Sequence, residues 1–266
     1  MVEADSQRIR ALASYYGPLR ISLWLYLIMN ALLATLILIE YITLTQYGFD
    51  PYLADGAPWL LFALASVIVG IGLFSVTVVA YIIGGFWIVR AMGNLHRIGS
   101  RFVTTSPAWA VGWYFIPIAN LWKPYEAMSQ IWEGSHRAAN EETPDQSPLP
   151  LWWALWIISA IVGNIGTQLG GWLGQGPNFE ASLIFSAASA LLTVGVTLMF
   201  LKITTRTTQL QGRIAAQSAT PMDPAGHQTG LSSELSDIEK SVTKDSPTNA
   251  QPKAQRQIGK PLSRKI

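Results

Sequence analysis

The chain has 266 residues, of which 50% are hydrophobic and only 13% are charged, with a formal net charge of +2 and no cysteine. The lack of cysteine excludes disulfides, thiolate metal sites and a cysteine nucleophile. The apolar residues are gathered into long blocks separated by polar segments, which is typical of a membrane protein. Nothing in this composition favours a nucleic-acid partner, and we expect none.

Four apolar blocks are long enough to cross a membrane. A bilayer core about 30 Å thick needs roughly 20 apolar residues in a helix. The first block follows arginines, as a secretory signal would, but it is about twice as long as the core of a signal and lacks a small-residue cleavage site. We therefore predict an all-α integral membrane protein with four transmembrane helices, at about 21–44, 60–89, 149–169 and 181–201.

The basic residues fall on one side of these spans. Arg8, Arg10 and Arg20 precede the first span, whereas residues 46–59 after it contain no Lys or Arg. Because cytoplasmic connections carry an excess of Lys and Arg, both termini and the central connection are predicted to be cytoplasmic. The predicted organisation is a cytoplasmic N-terminal segment at 1–18, a membrane domain at 19–206, and a disordered cytoplasmic tail at 207–266.

The tail has two parts. Residues 202–217 can form a short helical extension of the fourth span, whereas from about Ser218 the chain is rich in Ser, Thr, Pro, Gln and Asp. That composition buries too little apolar surface to offset the entropy of ordering. The last residues are basic and can adhere to anionic headgroups or be merely solvated.

Polar and small residues inside the spans predict helix contacts. Asn30 and Asn164 lie near the middle of the first and third spans, where an amide should find a partner across a helix interface, and both are expected to face one bundle interior. Glycines at four-residue spacing, at Gly166, Gly170 and Gly174, predict close packing of the third span. The tryptophans near the span ends are interpreted as interfacial belts, namely Trp59, Trp87, Trp152, Trp153 and Trp156.

The central connection contains an unusual segment, WAVGWYFIPIANLWKPYEAMSQIW, beginning at Trp109. Residues 109–122 would span about 21 Å as a helix, which is too short to cross, and Pro117 and Pro124 interrupt it. A crossing would also move Lys123 to the outer side, against the charge pattern. We therefore predict a re-entrant or interfacial aromatic segment within 102–140, followed by an amphipathic helix that starts at Pro124.

This part of the chain resembles a bacterial membrane family known as domain of unknown function 4328, with the likeness extending over roughly Arg20 to Arg206. Lys123 departs from the pattern, where an arginine is common. The resemblance implies a four-span bundle in a bacterial cytoplasmic (inner) membrane and no established activity. The matching positions are Trp109, Ala110, Val111, Gly112, Trp113, Pro117, Asn120, Leu121, Trp122, Pro124, Tyr125, Trp152, Trp153 and Trp156.

Catalytic and cofactor-binding patterns are scarce. His96 and His136 bracket the central segment, but two histidines without a carboxylate at ligand spacing make a poor metal site. Ser106 and Ser129 have no nearby base, and no phosphate-binding loop is present. We predict no catalytic residue, metal or cofactor. The candidate binding residues are Trp109, Trp113, Asn120, Trp122, Lys123, Tyr125 and His96.

Three functions follow, in order of preference. The first is a non-enzymatic binding or scaffold protein, whose aromatic segment binds a protein partner, a second copy of the chain, or the headgroups of membrane lipids. The second is a small-solute transporter or channel, since irregular backbone at membrane depth often lines a cavity. The third, an enzyme acting on lipid, would need a cluster of ionisable residues that the sequence does not show.

Overall fold

The computed structural model describes residues 9–47, 56–142, 147–171 and 178–219, and within these ranges all regular structure is helical. In chain order the helices are α1 (Ala13–Tyr47), α2 (Ala57–Arg97), α3 (Pro107–Gly112), α4 (Lys123–Ala138), α5 (Leu149–Gly170) and α6 (Phe179–Ala219). Two single-turn 3-10 helices, Trp113–Phe115 and Ala119–Leu121, connect α3 to α4. Helices α1, α2, α5 and α6 are long and apolar enough to cross a membrane, which confirms the predicted all-α membrane fold.

All four long helices exceed their predicted bounds, although α5 does so by a single residue. Helices α2 and α6 each contain 41 residues, about 60 Å or twice the thickness of a bilayer core. Helix α6 continues to Ala219 and includes the helical extension expected at 202–217, so residues 207–219 are helical although the predicted tail began at 207. Helix α1 begins at Ala13, within the predicted N-terminal segment. Residues 1–8 and 220–266 lie outside the described residues.

The four long helices pack on one another in the order α5, α6, α1, α2. Helix α5 packs chiefly on α6, α6 also packs on α1, and α1 packs on α2. Helix α5 is followed by Gly171, whose φ of 65° is a left-handed conformation that favours glycine. Helix α4 lies across one end of this arrangement and contacts α2, α5 and α6.

We call that end the basic end, because Arg10, Arg90, Arg97, Arg206 and Arg213 lie there. It is where α1 and α5 begin and where α2 and α6 end. The main hydrophobic core lies at this end as well. Its fully buried side chains include Leu19 of α1, Trp87, Met92 and Leu95 of α2, Met128 and Ile131 of α4, and Ile203 of α6.

Small residues join α5 to α6. A side chain added at Gly166 would place its Cβ 3.0 Å from Ser186 Oγ, and one added at Gly170 would place it 3.1 Å from Ser182 Oγ. The Ser189 hydroxyl donates across the interface to the Ser159 carbonyl at 3.0 Å. Close packing at Gly166 and Gly170 is therefore confirmed, with Gly163 as a further member, while Gly174 lies outside the described residues.

The two asparagines of the spans do not share an interior. Asn30 is buried, whereas Asn164 lies exposed on the outer face of α5. Each amide nitrogen donates to the carbonyl four residues earlier in its own helix, Tyr26 for Asn30 and Ala160 for Asn164. The expected meeting of these residues is wrong, because 3.6-residue periodicity turns Asn164 away from the helix that Gly166 and Gly170 contact.

The interpretation of the tryptophans as membrane belts is also wrong for three of them. Trp87 is fully buried and donates from Nε1 to Thr208 Oγ1 at 3.1 Å. Trp152 and Trp153 are buried in the core at the basic end, where Trp152 stacks on Phe200 with ring centroids 5.6 Å apart. These rings therefore join helices to one another.

Candidate functional site

The aromatic segment, residues 107–122, begins at a fixed loop. Gln130 of α4 accepts hydrogen bonds at Oε1 from the backbone amides of Thr104 and Thr105, both at 3.0 Å. His96 Nε2 lies 2.9 Å from the Thr105 carbonyl oxygen, so Nε2 carries the proton, because a carbonyl can only accept. Ser106 then caps α3 by accepting from the Trp109 amide, with Pro107 in the first turn.

The segment then turns back along α2. Pro107 lies against Gly93 of α2, and Val111 lies against Gly85, each within ordinary contact of the position a Cβ would occupy. These glycines are eight residues apart, which is about 12 Å along a helix. Tyr114 lies near Tyr81, a further turn along α2. The segment thus runs from the basic end back toward the level of the spans.

The return path ends at α5. Ile116, which precedes Pro117, is extended with φ −102° and ψ 107°, as expected before a proline. The Trp153 indole of α5 donates to the Leu121 carbonyl at 3.0 Å and packs against the Tyr125 ring at a centroid distance of 6.4 Å. Helix α4 then starts at Lys123, and its amphipathic character is as predicted, with Met128, Ile131 and Trp132 buried.

The outer face of the segment is apolar and exposed. Phe115 is 82% exposed and Ile118 is 72% exposed. Trp109, Leu121 and Trp122 have between 44% and 53% of their surface exposed. Contiguous exposed apolar surface of this kind marks a membrane or protein interaction site.

The candidate binding residues are brought together only in part. Trp109 and Trp113 pack ring to ring, with centroids 4.6 Å apart. Lys123 forms an ion pair with Glu126 at 2.6 Å, and Asn120 has a buried Oδ1 with no hydrogen-bond partner among the described residues. His96 lies apart from these, in a cleft at the end of α2 that the other candidates do not line.

A buried polar network fixes the basic end, and sequence reasoning missed it. Asn94 pairs with both backbone groups of Arg10: Oδ1 accepts from the amide and Nδ2 donates to the carbonyl, each at 3.0 Å. Asn94 Nδ2 also donates to Gln211 Oε1 at 2.8 Å. Gln211 Nε2 donates in turn to the Ala91 carbonyl and to Ser135 Oγ, both at 3.1 Å. The network therefore joins α2, α4, α6 and the segment before α1.

A sequence signal for this network existed. Asn94 and Gln211 lie beyond the predicted spans, within helical patterns that remain apolar at every third or fourth residue. An amide on the apolar face of such a helix predicts a satisfied buried hydrogen bond.

The described residues contain no group of three His, Asp or Glu side chains that could hold a metal ion. His136 is fully buried, and its Nδ1 lies 2.9 Å from the Trp132 carbonyl, so this nitrogen donates within α4. Its neighbour Ser135 is engaged by Gln211. The side chains bracketing the aromatic segment thus support the local structure.

Comparison with protein-family models matches residues 50–209 to the family "Domain of unknown function (DUF4328)". The match covers more than half of the chain and includes all of α2, the aromatic segment, α4 and α5, and most of α6. Comparisons with curated proteins and with solved structures found no match. The chain is a membrane protein that belongs to the DUF4328 family.

Proposed function

We propose that this protein is a non-enzymatic multi-pass membrane protein that binds membrane lipid through its aromatic segment. It lies in a bacterial cytoplasmic membrane, with its basic end, both termini and the aromatic segment on the cytoplasmic side. The observation that carries the proposal is the exposed apolar face of a segment that runs back along α2 and is fixed at both ends.

Lipid is the partner that best suits this face. Apolar surface left in water is unfavourable by roughly 25 cal/mol per Å², and Phe115 and Ile118 are mostly exposed. The segment turns toward the part of α2 that lies in the predicted span at 60–89. We call this part of the long helices the span level, and side chains there such as Ile68 and Ile71 are exposed and face lipid. Its broken backbone is covered on one side by α2 and α5, as irregular backbone at membrane depth requires.

The polar groups of the segment support binding over catalysis. Lys123 is neutralised by Glu126, and His96 holds the Thr105 carbonyl. Each therefore has a local structural role. The basic residues at the same end add attraction to anionic lipids.

The test is lipid retention by full-length protein purified in a mild neutral detergent, measured as phospholipid bound per protein. We expect Phe115→Ser combined with Ile118→Ser to reduce retained phospholipid to about half or less, because lipid on the outer face of the segment loses its two most exposed apolar contacts. The matched control is Ile71→Ser combined with Phe74→Ser, which removes two similarly exposed apolar side chains from α2 alone. Equal retention by the segment variant and the wild type, or an equal loss in the control, would contradict the proposal.

A further inference from the structure

A basic cleft lies beside the aromatic segment at the end of α2. Its volume is about 470 Å³, and it is lined by Arg10, Arg90, Arg97, Tyr15, Phe86 and Gly93, among others. Arg90 and Arg97 are seven residues apart and so lie two turns apart on one face of α2. Gly93 lies between them and leaves the floor of the cleft open.

Two of the three arginines are held in place. The backbone of Arg10 is gripped by the buried Asn94 amide, so its side chain starts from a fixed point beside α2. The Arg90 guanidinium lies over the Tyr15 ring, 5.3 Å from its centroid, and donates from Nη2 to the Tyr15 hydroxyl at 3.3 Å. These contacts use little of the donor capacity of a guanidinium, which has five N–H groups.

The cleft lacks a compensating negative charge from the described residues. The ion pairs among them involve Lys123, Arg137, Arg206 and Arg213, and none involves Arg10, Arg90 or Arg97. Three guanidinium groups around one cleft, with no carboxylate among its described lining residues, provide a strong attraction for an anion. Planar guanidinium groups match the oxygens of phosphate with paired hydrogen bonds.

The cleft also opens onto apolar surface. Phe86, 58% exposed, lies one turn before Arg90 on the same face of α2. The exposed apolar side chains of the span lie beyond Phe86, on the side away from Arg90. A ligand with an anionic head and an apolar tail would therefore contact the arginines with its head and the apolar face of α2 with its tail.

We propose that this cleft binds a phosphate group, carried first of all by an anionic phospholipid whose acyl chains lie against the Phe86 face of α2. This inference rests on the proposed lipid-binding function and names the chemistry of the headgroup. A soluble phosphate compound carries the same chemistry, and the experiment separates the two sources.

The experiment titrates the full-length protein, in neutral detergent, with phosphatidylglycerol and with phosphatidylcholine of identical acyl chains, and counts bound lipids by native mass spectrometry. The wild type should prefer phosphatidylglycerol. Arg90→Gln with Arg97→Gln should lower its affinity for that lipid about 25-fold, the product of about fivefold for each of the two charges near the surface. The control is Arg20→Gln with Arg101→Gln, which removes the same charge from exposed arginines outside the cleft. It should change the affinity less than about threefold.

A second variant keeps every charge. Gly93→Leu places its Cβ 3.8 Å from Pro107, an ordinary contact, and its longer side chain fills the floor of the cleft. We expect it to lower affinity for phosphatidylglycerol while leaving the melting temperature close to that of the wild type.

Binding of inorganic phosphate distinguishes a lipid headgroup from a soluble phosphate compound as the ligand of the cleft. Saturable binding of inorganic phosphate without lipid, lost in the Arg90→Gln, Arg97→Gln variant, supports the site and assigns it to a soluble source. No preference for phosphatidylglycerol and no phosphate binding in the wild type overturns the inference, as does an equal loss in the Arg20→Gln, Arg101→Gln control. The total phospholipid retained, which depends on Phe115 and Ile118, tests the proposed function separately.

Discussion

The basic end and the span level of this molecule are held together in different ways. At the basic end, large apolar side chains such as Trp87 and Leu95 are fully buried around an amide network, as in a water-soluble domain. At the span level, Leu64 and Ile68 of α2 are more than half exposed, and the α5–α6 contact uses glycine and serine. The difference follows from the solvent, because lipid is as apolar as leucine and gives no hydrophobic drive for helix association.

The aromatic segment combines features of these two regions. Its ends are attached to the rigid part, through Gln130 and Trp153, while its tip carries exposed apolar side chains like those of the span level. The segment thus belongs structurally to the basic end and chemically to the lipid-facing surface. Such a combination suits an element that fixes lipid at a defined place.

The largest difference in stability between the two regions should come from replacing leucines of α2 with alanine. Leu95→Ala empties a fully buried site and should lower the free energy of unfolding by about 3 kcal/mol. Leu64→Ala, at a side chain 51% exposed, should change it by less than about 0.5 kcal/mol. Thermal and denaturant unfolding in one detergent gives both values, and similar losses would refute the proposed difference in packing.

Asparagine offers a second matched pair. Asn94→Leu removes the partner of the Arg10 backbone and of Gln211, leaving buried polar groups unpaired, and should lower stability by about 2 kcal/mol. Asn164→Leu removes one bond within its own helix at an exposed position and should be neutral or slightly stabilising. A destabilisation by Asn164→Leu equal to that of Asn94→Leu would show that the exposed face of α5 has a partner.

The small-residue contact at the span level should be sensitive to size. Gly166→Val places atoms against Ser186 and the Ser182 carbonyl, 3.0 and 3.3 Å from the Cβ position, and should lower stability by about 1–3 kcal/mol. Gly70→Val in α2, where the Cβ position has no neighbour within 4 Å, is the control and should cause little change. Melting curves that fall equally for the two variants would point to loss of glycine itself as the cause.

The smallest effect is expected at a surface ion pair of the basic end. Glu141 accepts from Arg213 at 2.5 Å and also pairs with Arg206. Because all three side chains are partly exposed, Glu141→Gln should cost only about 0.5 kcal/mol, and the cost should shrink as salt is raised. A loss of stability above about 2 kcal/mol, unchanged by salt, would mean that the ion pairs of Glu141 help to hold α6 in place.

Sequence reasoning predicted what depends on composition and periodicity. The four spans, the breaks at Pro117 and Pro124, and the apolar face of α4 all follow from local patterns. The length of α6 was harder to predict, because its polar, Thr-rich stretch has weak helix propensity and is held by burial of Ile203, Leu210 and Ile214.

What the sequence could not supply was the direction of individual side chains. A tryptophan near the end of a span is compatible with either a lipid interface or a protein core, and only tertiary contact places Trp87 against Thr208. In the same way, Arg90 and Arg97 contribute to the charge pattern, but their cleft depends on α3 turning back over Gly93. Long-range pairing of this kind has no local signature.

The measurement that tests the central claim most directly is the depth of the aromatic segment in a bilayer. The chain has no cysteine, so single cysteines at Phe115, Glu126 and Leu64 can each carry a nitroxide without background labelling. In lipid vesicles, labels at 115 and 64 should be accessible to dissolved oxygen and shielded from a water-soluble nickel complex, while the label at 126 should show the reverse. Nickel accessibility at 115 equal to that at 126 would contradict the account, because the segment would then lie in water.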